Sequence, residues 1–395
     1  MSKIDEMIKK LCPNGVEYKR VSELCCISRG VVMSKDFIRD NEGEYPVYSS
    51  QTENNGCLGY INTFKYNGEF LTWTTDGANA GTVFYRNGKF SVTNVCGLLK
   101  VSYPLIKTKF LFYVLSIEAP KYVSKGMGNA KLMSNVMASV TVPVPPLEIQ
   151  EEIIRILDSF TELTAELTAE LTARKKQYEY YRDQLLSFNN VRRGLTFANP
   201  ESVRYMALGE ICDMKAGKAI AAVEINAEQT KQFPYPCYGG NGVRGFVANS
   251  NQNGEFCLIG RQGALCGNVC FATGTFYATE HAVVVKNDAR LNNRYLYHLL
   301  TAMNLNQYKS QGAQPGLAVG NLEKLSIPVP SISVQQKIAE VLDNFDSICS
   351  DLQIGLPAEI DARKKQYEYY RDLLLSFEPI GTVLAKQASK QASNN

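Results

Sequence analysis

Two stretches of the chain place apolar residues three or four positions apart, the spacing of one face of an α-helix. The first series runs from Ile153 to Phe188 and the second from Ile338 to Phe377. Proline-rich sequence precedes both, PVPP before Leu147 and IPVPS before residue 332, and it suits a first helical turn but not a helix interior. We therefore predict a central long helix over 147–188 and a distal long helix over 332–378.

The two predicted helices need partners. Forty residues at about 1.5 Å each span roughly 60 Å, and no small domain covers such a stripe, so we expect the two to pair as an antiparallel, coiled-coil-like spacer. Residues 162–173 read ELTAELTAELTA, which places one leucine on each successive turn. At the equivalent place in the distal helix, Gly355 and Pro357 should kink or restart it.

The chain is one unit written twice. RKKQYEYYRDQLLSF (174–188) returns as RKKQYEYYRDLLLSF (363–377), with a difference at one position, Gln184 against Leu373. Three further anchors recur in the same order: VEYKRVSELCCISRG over VRYMALGEICDMKAG, YPVYSS over YPCYGG, and VPVPPLEIQEEIIRILDSF over IPVPSISVQQKIAEVLDNF. The offsets of 187, 190, 185 and 189 residues leave room only for small insertions.

The repeat predicts an α+β chain with pseudo-two-fold internal symmetry, in which two similar mixed α/β domains are separated by two long antiparallel helices. We place the first domain at 1–146, a linker at 189–202, the second domain at 203–331 and a flexible tail at 379–395.

Composition is ordinary, with 45% apolar and 21% charged residues. No apolar run reaches the roughly 18 residues of a membrane span, and the first residues lack a secretory signal, so we expect a cytoplasmic protein without a membrane partner. The eleven cysteines are expected to be reduced and buried. Cys266 and Cys270 have zinc-like spacing, but with only two histidines in the chain we favour a core role and predict no metal.

Positive charge concentrates outside the two helices. Residues 147–188 carry a net charge of −4 and residues 332–377 a net charge of −3, so that +10 remains elsewhere in a chain whose total is +3. A basic globular surface attracts polyanions, of which nucleic acid is the commonest.

The paired RKKQYEYYRDxLLSF segments, the ELTA units and the two divergent domains that each end in a PVP-then-helix junction closely resemble the specificity subunit of type I restriction-modification enzymes. The resemblance covers residues 1–378. It implies that each domain recognises half of a split, asymmetric double-stranded DNA site, and that the helices act as a ruler. It also implies that two adenine-methylating modification subunits dock, that restriction subunits join afterwards, and that those partners use S-adenosylmethionine, ATP and magnesium.

The same resemblance implies that this chain catalyses nothing and binds no cofactor itself. The residues agree, because the sequence contains no Walker-type phosphate loop, no GxGxxG opening a helix and no N/D-P-P-Y/F methylase motif. Two alternatives stay open. The chain could cut or modify DNA alone through scattered carboxylates, or it could be a coiled-coil scaffold with no role in nucleic-acid binding.

Packing alone does not explain why polar residues are identical in the two fifteen-residue segments, because an apolar seam tolerates exchange. Two equivalent docking sites for two identical partner subunits explain it better than recent duplication, since the globular halves have diverged. The predicted docking residues are Arg174, Lys175, Lys176, Tyr180, Arg182, Arg363, Lys364, Lys365, Tyr369 and Arg371.

Base recognition needs donors and acceptors in a groove, and phosphate contacts supply affinity. Polar loops between strand-like runs are therefore the candidates. In the first domain they contain Ser49, Ser50, Gln51, Asn55, Thr75, Asp76, Asn79 and Lys131. In the second domain they contain Gly240, Asn241, Arg244, Arg261, Gln262, Lys309 and Gln314. A Gly-rich polar loop can also be only a turn.

Overall fold

The structure is a computed structural model that describes residues 3–124, 129–188, 203–263, 265–310, 315–351 and 354–393. The chain forms two compact units. Unit 1 comprises Met1–Glu166 and Asp361–Asn395, and unit 2 comprises Leu167–Ile360. The units do not follow the sequence repeats, since each holds one mixed domain together with the fifteen-residue segment of the other repeat.

The helices α1 to α12 in chain order are Lys3–Leu11, Val21–Leu24, Lys35–Asp40, Thr108–Glu118, Ser134–Ser139, Leu147–Leu186, Leu208–Ile211, Asn293–Ala302, Val319–Leu322, Ile332–Ser350, Leu356–Leu374 and Ile380–Ser393. The strands β1 to β8 of unit 1 are Glu17–Arg20, Cys25–Arg29, Tyr45–Tyr48, Cys57–Ile61, Tyr66–Thr74, Val83–Val92, Cys96–Val101 and Thr141–Val144. The strands β9 to β18 of unit 2 are Arg204–Ala207, Cys212–Ala216, Tyr235–Gly239, Gly242–Val247, Gln252–Asn253, Phe256–Gly260, Val269–Ala272, Thr275–Ala278, Ala282–Asn287 and Ser326–Val329.

Unit 1 is built on a six-stranded sheet of order β2-β7-β5-β6-β3-β4. The side chains of its central strand β5 point alternately into two apolar clusters, as expected for a strand that is covered on both faces. Leu71 and Trp73 belong to the helix-packed core of the unit, whereas Phe70 belongs to a smaller cluster that also holds Phe90 and Leu98. Trp73 is fully buried, and its indole N–H donates to the Leu132 carbonyl over 2.9 Å.

Unit 2 repeats this plan with one change. Apart from the antiparallel pair β18-β9, its strands form two four-stranded sheets, β10-β17-β14-β15 and β12-β11-β16-β13. The ten-residue β6 of unit 1 corresponds at the repeat offset to two short strands, β15 and β16, which belong to different sheets. The mixed helix and strand architecture predicted for both domains is confirmed.

The long helices are present, and the predicted interruption is observed. Helix α6 is continuous over 40 residues. The distal stretch is divided between α10 and α11, and Gly355 follows α10 so closely that a Cβ there would lie 2.6 Å from the Asp351 carbonyl oxygen. In unit 2 the ring of Tyr181 stacks on that of Phe345, with centroids 5.5 Å apart. Arg174 precedes Tyr181 on α6 and lies within electrostatic range of Cys349, which follows Phe345 on α10. The two helices therefore run antiparallel there.

Residues 380–393, placed in a flexible tail, form helix α12. The segment is rich in alanine, lysine and glutamine, which are strong helix formers, and a parallel bridge between Val16 and Pro379 holds the residue before it. The predicted linker at 189–202 lies outside the described residues.

A buried glutamine ties each long helix to its domain. Gln150 is fully buried, and its side-chain oxygen accepts from the Lys107 N–H over 2.9 Å. Its amide donates to the carbonyls of Leu105 and Pro145 over 2.9 and 2.7 Å. Gln335 makes the same three bonds in unit 2, with the partners Asn292 N–H, Arg290 C=O and Pro330 C=O at 2.8, 2.9 and 2.8 Å. We call each arrangement a glutamine clamp.

A carboxylate about two turns further along each long helix makes a second contact with the domain. In unit 1 Asp158 accepts from Lys109 Nζ over 2.7 Å and from the Tyr113 hydroxyl. In unit 2 Asp343 contacts Arg294 Nε at 2.9 Å and His298 Nε2 at 2.7 Å. Burial lowers the pKa of His298 despite the neighbouring carboxylate. Burial raises the pKa of Asp343, but the hydrogen bonds from Arg294 and His298 outweigh it and hold that pKa below its usual range.

The cysteines are free thiols, as predicted, but not all are buried. Cys26 is exposed, and Cys12 and Cys270 are half-buried. Among the described residues, no cluster of three or more His, Cys, Asp or Glu side chains could hold a metal ion. Within the same residues, no helix is long and apolar enough to cross a membrane.

Candidate nucleic-acid interface and docking face

Three loops of unit 1 meet at one carbonyl. The Ser50 hydroxyl donates to the Val95 carbonyl over 2.5 Å and accepts from the Thr75 N–H over 2.9 Å. The Thr75 hydroxyl donates to the same Val95 carbonyl over 2.7 Å, and Thr75 is only 2% exposed. Two residues predicted to contact DNA therefore hold loops 49–56, 74–82 and 93–96 together.

The other predicted residues of loop 49–56 and its neighbour are also ordered by local bonds. Ser49 Oγ accepts from Thr93 Oγ1 over 2.9 Å, and Gln51 Nε2 donates to the Cys57 carbonyl over 2.6 Å. Asn79 Nδ2 donates to Thr52 Oγ1 over 3.0 Å. These bonds fix the backbone of the loops in place.

Asn55 is exposed and lies at the tip of loop 49–56. Its φ of 52° is left-handed, which asparagine tolerates better than most residues. Arg86 donates to its carbonyl over 2.8 Å. Arg86 is 3% exposed, with its guanidinium 3.6 Å from the centre of the Tyr48 ring, so this arginine supports the loop from beneath.

Loop 74–82 of unit 1 and loop 260–268 of unit 2 share one backbone frame at an offset of 186 residues. Gly77 N–H donates to the Ala130 carbonyl over 3.0 Å, and Gly263 N–H donates to the Pro315 carbonyl over 3.0 Å. The φ angles of these glycines are +88° and +89°, in the region that glycine favours. Leu132 N–H and Leu317 N–H bond the Thr75 and Arg261 carbonyls at 2.9 and 2.8 Å.

The side chains on that common frame differ. Asp76 occupies the position of Gln262, and each forms an isolated bridge to the segment opposite, at Lys131 and Gly316 respectively. Asn79 occupies the position of Leu265, which is 59% exposed. The same loop thus presents a carboxylate in one unit and an amide in the other.

Unit 2 has an open groove of about 470 Å³ beside its loop. It gathers four of the residues predicted from sequence, namely Gly240, Asn241, Arg244 and Gln262. Asn241 Oδ1 accepts from Asn268 Nδ2 over 2.7 Å, which ties the groove wall to loop 260–268. The stem of Arg244 lies over Gly239, where a Cβ would come within 2.5 Å of Arg244 Cδ.

Sequence reasoning missed His281 and Glu280. His281 lines the groove, and its carbonyl accepts from the Arg261 N–H over 2.8 Å. His281 Nε2 lies 3.2 Å from Glu280 Oε1, while Glu280 Oε2 is buried without a hydrogen-bond partner among the described residues. Residues 279–281 fall over 93–95 at the loop offset, but the role of Val95 as the point where the unit 1 loops meet is a structural finding, so no sequence pattern marked His281.

The remaining predicted contacts lie at the margins of these loops. Lys131 is exposed and pairs through its backbone with Asp76 and Ser124. Lys309 is exposed, and its ammonium donates to Asn306 Oδ1 over 3.0 Å. Gln314 lies outside the described residues.

The repeated segments present the same exposed face twice. Lys175, Lys176 and Tyr180 are exposed on α6, and Lys364, Lys365 and Tyr369 are exposed at the matching positions of α11. The two tyrosines are 49% and 66% exposed.

The four arginines of the segments are half-buried and locally bonded. Arg182 and Arg371 each lie 2.8 Å from the next residue's carboxylate and 5.7 Å from a tyrosine ring one turn earlier. Arg174 contacts Glu170 at 3.3 Å, and Arg363 Nη1 donates to Gln366 over 3.2 Å. The lysines and tyrosines, rather than the arginines, therefore dominate the accessible part of this face.

The apolar residues at the C-terminal ends of the two segments have equivalent roles, because each set packs into the core of one unit. Leu185, Leu186 and Phe188 enter the core of unit 2, and Leu374 and Phe377 enter the core of unit 1.

Comparisons with a family model and with individual proteins point to the same family. The type I restriction modification DNA specificity domain matches residues 13–174 and again 200–362. The specificity subunit of the Escherichia coli type I restriction enzyme EcoprrI is 47% identical over 271 residues, which cover 65% of this chain and 66% of that subunit. A Mycoplasma pneumoniae protein assigned to the type I specificity subunits is 32% identical over 91% of this chain and 97% of its own length.

Solved structures show the same fold. The S subunit of a type I restriction-modification system from M. genitalium superposes with a TM-score of 0.62 at 19% identity, over 91% of this chain and 95% of that one. A chain from a structure on complex assembly and conformational transition of the type I system gives a TM-score of 0.58 at 14% identity, over 91% and 97%.

Proposed function

Since the chain belongs to the family of type I restriction-modification DNA specificity subunits, we propose that its two domains each read one half of a split, asymmetric DNA site. The chain is itself non-catalytic, as its relatives are specificity subunits. Methyl transfer and cleavage fall to partner subunits, which would use S-adenosylmethionine, ATP and magnesium.

One observation carries the proposal. Loops 74–82 and 260–268 have the same hydrogen-bonded frame and the same positive-φ glycines, yet they display different side chains at Asp76 and Gln262. A shared frame with exchanged donors and acceptors suits two unlike half-sites, because base edges are distinguished by their donor and acceptor patterns. Arg244 and His281 line the unit 2 groove together with Gln262.

The repeated helical face supports two equivalent docking sites for modification subunits. Each of the two segments packs into a different unit through matching apolar residues and leaves two lysines and a tyrosine exposed. A single partner species could therefore bind twice through the same contacts. Restriction subunits would then bind to the complex of this chain with its modification subunits.

The continuity of helix α6 supports the proposal that it acts as a ruler that sets the spacing of the two half-sites. It runs without interruption through the three ELTA units, and Leu163, Leu167 and Leu171 are all half-buried along one side. The threonines bond back to the helix, as Thr164 Oγ1 does to the Phe160 carbonyl over 2.8 Å. A continuous helix converts each added residue into about 1.5 Å of length, so its residue count can set a spacing.

The test is a comparison of the purified full chain with and without its modification subunit. We expect salt-dependent DNA retention and adenine methylation only when both are present, at a split and asymmetric motif. Methylation or cleavage by the chain alone would favour the solitary enzyme. Absence of DNA retention even in the assembled complex would favour a scaffold without a nucleic-acid role.

A further inference from the structure

The two matched loops differ most informatively at the position of Asp76 and Gln262. Each residue lies one place before the positive-φ glycine of its loop, and each forms a backbone bridge to the equivalent segment of its own unit, at Lys131 and Gly316 respectively. Asp76 is half-buried and Gln262 is exposed. Within the described residues, no hydrogen bond or ion pair engages either side chain, whereas the neighbouring Thr75 and Asn79 are both tied down inside the loops.

We propose, building on the function above, that Asp76 and Gln262 are equivalent base-reading positions, and that they set one base pair in each half-site. Asp76 accepts a hydrogen bond from the exocyclic amino group of cytosine or adenine. Gln262 pairs with the N6 and N7 edge of adenine.

The charge of Asp76 carries the first assignment. A carboxylate offers acceptors only, and near the phosphates of DNA it is repelled. It therefore weakens binding unless it meets a donor, and the only amino donors on major-groove base edges belong to cytosine N4 and adenine N6. The backbone bridge partner of Asp76 is the exposed Lys131.

The second assignment follows from the amide and its surroundings. A glutamine side chain carries one donor and one acceptor at the spacing of adenine N6 and N7. Gln262 lines the groove beside Val243 and Leu265, which are 52% and 59% exposed. These apolar side chains are suited to contact the methyl group of the thymine that pairs with adenine.

The experiment exchanges the two residues in the full chain, assembled with its modification subunit. Asp76→Gln, Gln262→Asp and the near-isosteric Asp76→Asn are compared with Glu6→Gln, which matches the charge change of the two Asp76 variants at an exposed position of α1. Modified adenines in host DNA are mapped by sequencing, and competition binding uses duplexes with each base of the motif changed in turn. Melting temperatures confirm folding.

Asp76→Gln should alter the tolerated base in one half of the motif, and Gln262→Asp should alter it in the other half only. Asp76→Asn should relax discrimination at one base pair by roughly 5- to 150-fold, and Glu6→Gln should change nothing. If folded variants keep the wild-type motif, or if either variant alters both halves, the assignment is overturned while the DNA-reading function stands. If the wild-type complex shows no split motif, the proposed function fails first.

Discussion

Removal of a glutamine clamp tests how the domains are joined to the long helices. In Gln150→Leu the side chain keeps its approximate size but loses three hydrogen bonds to backbone groups. The bond to the Pro145 carbonyl is buried and the other two are part-buried. Orphaning a buried carbonyl costs about 1–3 kcal/mol, and losing each of the other bonds about 1 kcal/mol. Added apolar burial returns about 1 kcal/mol, so we expect a net loss of about 3 kcal/mol.

The assay is calorimetry of the full chain. For a unit of this size, about 1 kcal/mol shifts the melting temperature by 2–4 °C, so the unit 1 transition should fall by about 6–12 °C. Gln335→Leu should do the same to unit 2. The matched control is Gln184→Leu, which installs the residue found at the equivalent position, Leu373, and should change stability by less than about 0.5 kcal/mol. If Gln150→Leu melts within 2 °C of this control, the reasoning about orphaned backbone groups is refuted.

Three further predictions concern pH, docking and spacing. Because burial lowers the pKa of His298 below its unfolded value, unit 2 should lose stability as pH falls from 7 towards 5, and His298→Tyr should flatten that dependence. Reversing Lys175 and Lys176 to glutamate should weaken binding of the modification subunit at least tenfold, measured by titration, without lowering the melting temperature. Deleting residues 166–169 should shorten α6 by about 6 Å and rotate the helix C-terminal to the deletion by roughly 40°, moving the half-sites by about two base pairs in a methylation map.

Each of these has a contrary outcome. If wild type and His298→Tyr show the same dependence of unit 2 stability on pH, protonation of the His298 imidazole is not coupled to folding. Reversal of Lys9 and Lys10 on α1 serves as the charge control for docking, and equal weakening there would point to bulk electrostatics. An unchanged half-site spacing in the deletion variant would remove the ruler.

The candidate site was only partly readable from sequence. The loops were found because polar, glycine-rich segments interrupt strand-like runs, and Asp76 and Gln262 lie on them as expected, whereas Arg244 lies within strand β12. Ser50 and Thr75 look the same in sequence, yet their hydroxyls bond a carbonyl from a third loop. His281 was overlooked because its place in the groove depends on strand order, which no local pattern reveals.

The sequence by itself determined the twofold repeat, the long helices, the break near Gly355 and the identical polar face, since these depend on periodicity and on residue identity read along the chain. Only the tertiary structure decided which pieces fold together. Residues 361–395 join the first domain and 167–188 join the second, because Phe377 and Phe188 find their apolar partners there. Burial and hydrogen-bond completion act between residues distant in sequence, so the clamp that joins Gln150 to Leu105 and Lys107 becomes visible only once the chain has folded.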